Sequence, residues 1–353
     1  MKISIFAYSN KACDMAEKVA DALREISTAW DIKCYTVEKY LREGFGLISK
    51  ADEPKESDNG IHKINYCKAF LESYAFISIG SCGIAVRHIA PFVKSKTTDP
   101  AVIVIDELGK YVIPILSGHI GGANRLANEL SEKLGAEAVI TTATDINGRF
   151  SVDTWAAENG YVIDSMKIAK AVSAEILERD VPIASGLPIV GELPSGVIAA
   201  ETGAIGIYVG YKTSEPFEKT LRLVTKVLSI GLGCRRDTPK EKIADAVSKV
   251  FAENDLDMRA ICRVSSIDIK KDEKGILEFC EGIGIKPEFF PAEELEKAEG
   301  DFSTSDFVKG VTGVDNVCER AAVLRGGRLI VKKTACDGVT VAVSLIEKEV
   351  RFE

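Results

Sequence analysis

The sequence predicts a multidomain α/β protein with an N-terminal doubly wound, mostly parallel sheet, and three observations carry that reading. Short apolar strands alternate with amphipathic helices over the first 150 residues or so, the pattern of successive βαβ units. Near Tyr161 the texture changes to shorter β-prone pieces broken by proline and glycine. At 353 residues the chain is also too long for one ordinary domain. The expected division is an N-terminal α/β domain over 1–160, a small middle α/β domain over 161–225 and a C-terminal α/β domain over 226–353.

Taken in order, Lys2–Tyr8 reads as a strand, Cys13–Ser27 as a helix and Asp31–Val37 as a strand. Polar Lys50–Gly60 reads as a surface loop and Ile61–Ser73 as a helix. Strand Ala75–Gly80 leads into Gly83-Ile84-Ala85-Val86-Arg87, and Ala101–Asp106 and Tyr111–Leu116 flank the turn of a hairpin. Helix Gly121–Leu134 and strand Ala138–Thr142 complete the first domain. In the middle, helix Met166–Glu178 precedes pieces separated by Pro182, Pro188 and Pro194. The third domain opens with strand, glycine loop, arginine pair and a helix through Phe251, with Thr238 expected as N-cap and Pro239 at the first helical position. Strand Ala260–Ile269, helices Gly275–Ile283 and Asn316–Arg325, and strands Leu329–Thr334 and Val339–Lys348 finish it.

Composition narrows the function. A formal net charge of −8 argues against a general nucleic-acid binder, since no surplus of Lys or Arg is present to neutralise phosphates. No apolar run approaches the roughly 20 residues needed to span a bilayer, and the start of the chain does not resemble a signal peptide, so a cytoplasmic location is expected. Nine cysteines with no CxxC pair, and three histidines with no two at ligand spacing, argue against a protein-held metal and against a disulfide framework.

The chemistry concentrates at Ser117-Gly118-His119-Ile120-Gly121-Gly122-Ala123-Asn124, between a strand and a helix. A helix start offers unpaired N–H groups and a favourable dipole, and Gly118, Gly121 and Gly122 are expected to let a carboxylate or phosphate approach. His119 at the lip is the candidate general base, with Ser117 and Asn124 beside it. Thr141, Thr142, Thr144 and Asp145 sit where a strand end would bind substrate or orient His119; an Asp145 N-cap is the structural alternative. Arg87, after Gly83, suits a substrate carboxylate or a solvated helix face. Gly231-Leu232-Gly233 begins like a dinucleotide fingerprint, but Arg236 stands where the third glycine should, so the loop reads as an anion or macrocycle-edge binder in which Gly231 and Gly233 allow close approach. Arg235 and Arg236 either grip carboxylates or cap a neighbouring acid. Cys234 reads as packing or, beside two cations, as a nucleophile. Lys270 and Glu273 read as a charged connection, and Thr312 and Glu319 as a further helix-start site.

These residues resemble the cobalt-precorrin-5A hydrolases of the anaerobic cobalamin pathway, the CbiG type, over nearly the whole chain. The resemblance rests on Gly83–Arg87, the run Lys96–Val102, Val104–Glu107, the LSGHIGGAN and ITTATD segments with Asp153, the IGLGCRR loop, Ile267–Gly275, and Thr312-Gly313 with Val317–Ala322. The Ser81-Cys82 pair and Asp237 depart from the family pattern, and Asp237 puts anion binding at its loop in question. The resemblance implies opening of the δ-lactone of cobalt-precorrin-5A, with release of acetaldehyde, to give cobalt-precorrin-5B. In that reading His119 is the base, Asp145 orients it, and N–H groups near Gly121 and Gly122 hold the oxyanion. Arg87, Arg235 and Arg236 hold carboxylate arms of the macrocycle. No cofactor is required, because cobalt arrives with the substrate, and transient contact with neighbouring pathway enzymes is expected. Two rivals remain at this level. A non-catalytic corrinoid carrier would share the cradles, and a nucleotide-dependent enzyme is the generic inference from a Rossmann-like sheet. Oligomeric state is not legible.

Overall fold

The computed structural model describes residues 1–49, 62–95, 98–304, 310 and 313–352; the Lys50–Gly60 loop and Thr312 lie outside the described residues. The chain forms two compact units, Met1–Thr154 and Trp155–Glu353.

The first unit contains β1 (Lys2–Ala7), α1 (Asn10–Ile26), β2 (Asp31–Thr36), β3 (Phe45–Ile48), β4 (Lys63–Ile64), α2 (Tyr66–Glu72) and β5 (Ala75–Ile79). It continues with α3 (Cys82–Ile89), β6 (Ala101–Ile105), β7 (Tyr111–Leu116), α4 (Ala123–Leu134), β8 (Glu137–Ala138) and α5 (Ala143–Ile146); α6 (Val152–Glu158) holds the unit boundary. The sheet order is β4-β3-β2-β1-β5-β6-β7-β8, doubly wound about β1 and β5. The period of two sorts side chains to opposite faces. Ile3, Ile5 and Ala7 pack with Val19, Leu23, Leu126 and Leu130 on one side, while Phe6, Tyr35, Phe70 and Phe76 form the second core. Each such fully buried aliphatic or aromatic side chain contributes roughly 1.5–3 kcal/mol. Helix α1 starts nearly a turn earlier than the sequence suggests, because the Ser9 hydroxyl accepts from the Ala12 N–H at 3.1 Å and caps it. The hairpin is closed by Asp106, whose carboxylate accepts from the N–H groups of Leu108, Lys110 and Tyr111.

One topological detail positions everything that follows. Strand β7 runs antiparallel to β6 and places Leu116 beside Val102, at the start of β6. Strand β8 then runs parallel to β7. The loops after β7 and β8 therefore open at the edge opposite the carboxyl ends of β1, β5 and β6. The expected strand Ala138–Thr142 shortens to Glu137–Ala138. Val139 still donates to the Val112 carbonyl, but Asn124 Nδ2 then takes Thr142 Oγ1 at 3.0 Å and the chain turns into α5.

Among the described residues the second unit holds two five-stranded sheets and one two-stranded ladder. The first contains β9 (Val162–Ile163), β10 (Val181–Ser185), β12 (Val197–Ala199), β13 (Gly206–Gly210) and β14 (Thr220–Val224), ordered β12-β10-β13-β14-β9, with α7 (Met166–Glu178) packed on it. The second comprises β15 (Leu228–Cys234), β16 (Ile261–Ile267), β17 (Glu288–Phe290), β18 (Arg328–Cys336) and β19 (Val339–Leu345), ordered β17-β16-β15-β19-β18. Its helices are α8 (Lys240–Glu253), α9 (Lys274–Gly282), α10 (Ala292–Leu295) and α11 (Val317–Val323). A short ladder of β11 (Ile189–Val190) with β20 (Val350–Arg351) joins the C-terminal end to the middle segment. Arg222 adds a second link, reaching Asp164 at 3.1 Å and Asp257 at 3.5 Å. The expected cap of α8 is corrected. Asp237 takes a left-handed φ of 59°, Thr238 Oγ1 donates to the Arg235 carbonyl at 2.7 Å, and Pro239 becomes the capping residue. Among the described residues, no helix is long and apolar enough to cross a membrane.

Candidate functional site

The turn after β7 is built by its own backbone. Ser117 adopts φ 56° and its hydroxyl donates to the Asp99 carbonyl at 3.0 Å. The N–H groups of Gly122, Ala123 and Asn124 donate to the carbonyls of His119, Ser117 and Gly118. The glycines serve this closure. A Cβ on Gly118 would lie 2.6 Å from Asn124 Oδ1, one on Gly121 2.4 Å from Ser117 Cβ, and Gly122 sits at φ 78° with the Tyr74 hydroxyl 2.8 Å from where its Cβ would be. The expected anion cradle is thus corrected. The helix-start N–H groups from Gly122 to Asn124 are already used, which removes Gly122 as an oxyanion donor. The Gly121 N–H has no partner among the described residues.

His119 projects from this turn into a polar cluster. Its Nε2 lies 2.9 Å from Asp145 Oδ2 and 3.2 Å from Thr144 Oγ1. Its Nδ1 lies 3.3 Å from Ser151 Oγ and 3.4 Å from Asp153 Oδ1. The hydrogen bond with Asp153 raises the imidazole pKa, burial opposes it, and Asp145 adds to the rise, leaving a net upward shift from 6.5. Both ring nitrogens are engaged, and the shift is toward the charged form relative to a free imidazole. Asp153, 3% exposed, is fixed by the Ser151 hydroxyl and the Thr154 N–H, each at 3.1 Å. Asp145 is the open member: its Oδ2 accepts from His119 and from Asn124 Nδ2 at 3.2 Å, while its Oδ1 has no partner among the described residues. Asp145 lies inside α5 and so is not the N-cap that the sequence left open.

The structure therefore brings together His119, Asn124, Thr142, Thr144 and Asp145, and adds Asp153 and Ser151. In the sequence, Ser151-Val152-Asp153 has the look of an ordinary helix start, which conceals its chemical use. Thr141 is exposed and outside the cluster. Ser117 faces Asp99 and shapes the turn.

Gly83 and Arg87 are not part of this site. They follow the carboxyl end of β5, and the five intervening strand residues put that edge roughly 15 Å from the His119 turn. Arg87 is exposed and reaches the Gly83 carbonyl at 3.4 Å.

In the second unit, several expected ligand contacts prove to be packing. A Cβ on Gly231 would lie 1.8 Å from the Cys318 carbonyl, and one on Gly233 2.5 Å from Thr340 Oγ1, so this glycine pair seats α11 and β19 against β15. Arg236 pairs with Asp272 at 2.8 Å on the surface, the capping alternative, while Arg235 is exposed, makes no side-chain hydrogen bond or ion pair among the described residues, lends its charge to Asp337, and stays a carboxylate-binding candidate. Glu319 is 0% exposed and accepts from the Ser303 N–H, the Ser303 hydroxyl and the Lys333 N–H at 2.6–2.9 Å. Those donors consume its carboxylate, which makes it a clamp and removes it from substrate binding. Burial pushes the Cys234 thiol up, against the nucleophile reading. Lys270 and Glu273, read as a charged connection, form an ion pair at 3.1 Å with side chains 13% and 2% exposed. Among the described residues, no group of three or more His, Cys, Asp or Glu is arranged to hold a metal ion.

Comparison with known proteins places these residues in context. The Cobalamin synthesis G N-terminal model matches residues 66–145, which include His119 and Asp145, and the Cobalamin synthesis G C-terminus model matches 228–344. The chain is 32% identical over 364 residues to the cobalt-precorrin-5A hydrolase of Salmonella typhimurium strain LT2, covering 97% of each. It is 34% identical over 329 residues to the protein of the same name from Priestia megaterium, covering 85% of this chain and 87% of the relative. A crystal structure of a cobalamin biosynthesis protein G homologue from Sulfolobus solfataricus aligns over 98% of this chain and 97% of its own at 22% identity, with a TM-score of 0.42.

Proposed function

The chain belongs to the cobalt-precorrin-5A hydrolase family, and from that premise we propose that it opens the δ-lactone of cobalt-precorrin-5A and releases acetaldehyde, with the His119–Asp145–Asp153 cluster as its reaction centre. The observation that carries the site is the imidazole clamped between two carboxylates, one anchored and one with an open oxygen. With both ring nitrogens turned to Asp145, Thr144, Ser151 and Asp153, the imidazole presents neither to an incoming water. The geometry supports an assignment of roles opposite to the one read from the sequence. Asp145 Oδ1 accepts a proton from the attacking water, and His119 holds Asp145 in place while its positive charge favours the developing oxyanion. The Gly121 N–H is the available backbone donor.

Water adds across the acyl–oxygen bond, leaving a carboxylate on the macrocycle and a secondary alcohol. Asp145 passes the proton it took from water to the departing alkoxide, the new acid loses its own proton to solvent, and the regenerated Asp145 carboxylate then takes the alcohol proton, which lets the carbon–carbon bond break. Its electron pair enters the conjugated ring, which takes up a proton, and acetaldehyde leaves. Because the substrate ring is the electron sink and carries the cobalt, the reaction needs no cofactor held by the protein. Arg235 is retained as a grip for a carboxylate arm. The nine cysteines, free among the described residues, suit the reducing cytoplasm in which we place the enzyme.

The test is anaerobic incubation with cobalt-precorrin-5A and an acetaldehyde assay across pH. The wild type should produce acetaldehyde, Asp145→Asn should lose about 10²–10⁴-fold, and kcat/KM should fall as pH rises through the His119 pKa. A rate that instead rises to a plateau through that pKa would restore His119 as the base. Tight binding of the substrate with no acetaldehyde would favour the corrinoid-carrier reading.

A further inference from the structure

The middle sheet of the second unit carries a cavity of about 650 Å³ with no part in the chemistry above. It opens at the carboxyl ends of β10, β12 and β13, where the chain leaves β10 to one side for β12 and crosses back for β13. Open α/β sheets bind ligands at such a switch point, and the volume lies in the range of small-molecule sites.

Tyr208 points into this place. The residue is only 6% exposed, lines the cavity, and its hydroxyl has no hydrogen-bond partner among the described residues. Its ring runs along the sheet towards the strand ends. A Cβ on Gly186 would lie 2.6 Å from the hydroxyl oxygen and one on Gly210 3.0 Å from it, so only glycines leave that oxygen room. The hydroxyl oxygen is not itself among the fully buried unpartnered atoms, so it stands open to the cavity and offers an unused donor and acceptor to whatever enters. Ser185 is committed elsewhere, donating to the Val209 carbonyl and accepting from the Leu187 N–H, which fixes one wall.

The lining states what the ligand must be. Ala184, Leu187 and the Tyr208 ring give an apolar surface and Ser214 adds a hydroxyl; among the described residues Glu201 is the single charged group of the lining, with no Lys, Arg or His. A carboxylate would meet repulsion and no cation, which excludes the arms of a tetrapyrrole. We propose that this cavity binds a small organic ammonium compound, its apolar body against Ala184 and Leu187 and its N–H groups donating to Glu201 and the Tyr208 hydroxyl. Burial pushes the Tyr208 phenol up to about 12, so it remains a neutral hydroxyl able to accept from an ammonium at physiological pH. The proposal stands independently of the reaction assigned to the first unit.

The test uses two probes of one shape and opposite charge, tyramine and 4-hydroxyphenylacetate, titrated into the full chain and followed by NMR. Tyramine should bind saturably and at least about tenfold more tightly than the acid. Tyr208→Phe should weaken tyramine about three- to tenfold, and Glu201→Gln should abolish the preference for the amine. Both variants keep their volume, and far-UV circular dichroism would verify that they fold. Equal binding of the two probes, no saturable tyramine binding below about 10 mM, or unchanged titrations in both variants would overturn the proposal.

Discussion

His119 is gripped from both sides by acids of unequal exposure, and that inequality divides their roles. The Asp153 side chain is 5% exposed and anchored by neighbours, whereas the Asp145 side chain is 37% exposed and offers a free oxygen. Because the folded pKa of His119 lies above 6.5, the stability it contributes is fully present below that value and is lost as pH rises through the folded pKa. In an NMR titration of the imidazole, Asp153→Asn should lower the His119 pKa more than Asp145→Asn does. An equal or reversed ranking would place the dominant partner on the wrong side of the ring. Part of this was legible. A histidine in a glycine turn and an acid about 25 residues on could be paired on paper, and they meet at 2.9 Å. Asp153 could not be, since an acid in the first turn of a helix has an ordinary capping explanation.

At the level of elements, glycine motifs proved ambiguous in one consistent way. A missing side chain admits a ligand or a neighbouring backbone equally well, and the tertiary fold decides which one fills the space. Gly118 and Gly121 make room for the turn's own Asn124 and Ser117, and Gly231 makes room for the Cys318 carbonyl of α11. Gly231→Ala should therefore cost about 1–3 kcal/mol or more in urea unfolding, as an overpacked core does. A loss below about 0.5 kcal/mol would mean that α11 can shift at little cost and that the glycine serves something other than packing. Helix and strand positions were legible wherever apolar periodicity was long, as in α1 and α4. They failed at β8, an edge strand whose pairing is cut short by the side chain of Asn124 on α4.

At the scale of the whole chain, two features govern behaviour: the reversal of β7 in the first unit and the polar seam between the two sheets of the second. In that seam Asp257 is 6% exposed and its N–H donates to the Tyr211 carbonyl at 2.9 Å. Burial works to raise its pKa, but hydrogen bonds from Arg259 and the charges of Arg259 and Arg222 outweigh burial and hold it below 3.8. Its contribution to stability is therefore present above that value and lost as pH falls through the folded pKa. Asp257→Asn should be about 1.5–3 kcal/mol less stable than the wild type at neutral pH. That gap should close on acidification, and one that persisted unchanged well below pH 3.8 would remove the charge from the account.

The sequence by itself determined the α/β class, the family, and the identity of the turn that bears His119, because periodicity and a dense local motif are properties of contiguous residues. Tertiary structure decided which candidates share a site. Arg87 and His119 stand in similar strand-to-helix settings, yet the antiparallel course of β7 sends them to opposite edges of one sheet. Strand direction depends on pairing between distant segments, and no local pattern encodes it. The same holds for Glu319 and Asp153, whose meaning is set by donors that the fold brings to them from elsewhere in the chain or turns inward from neighbouring residues.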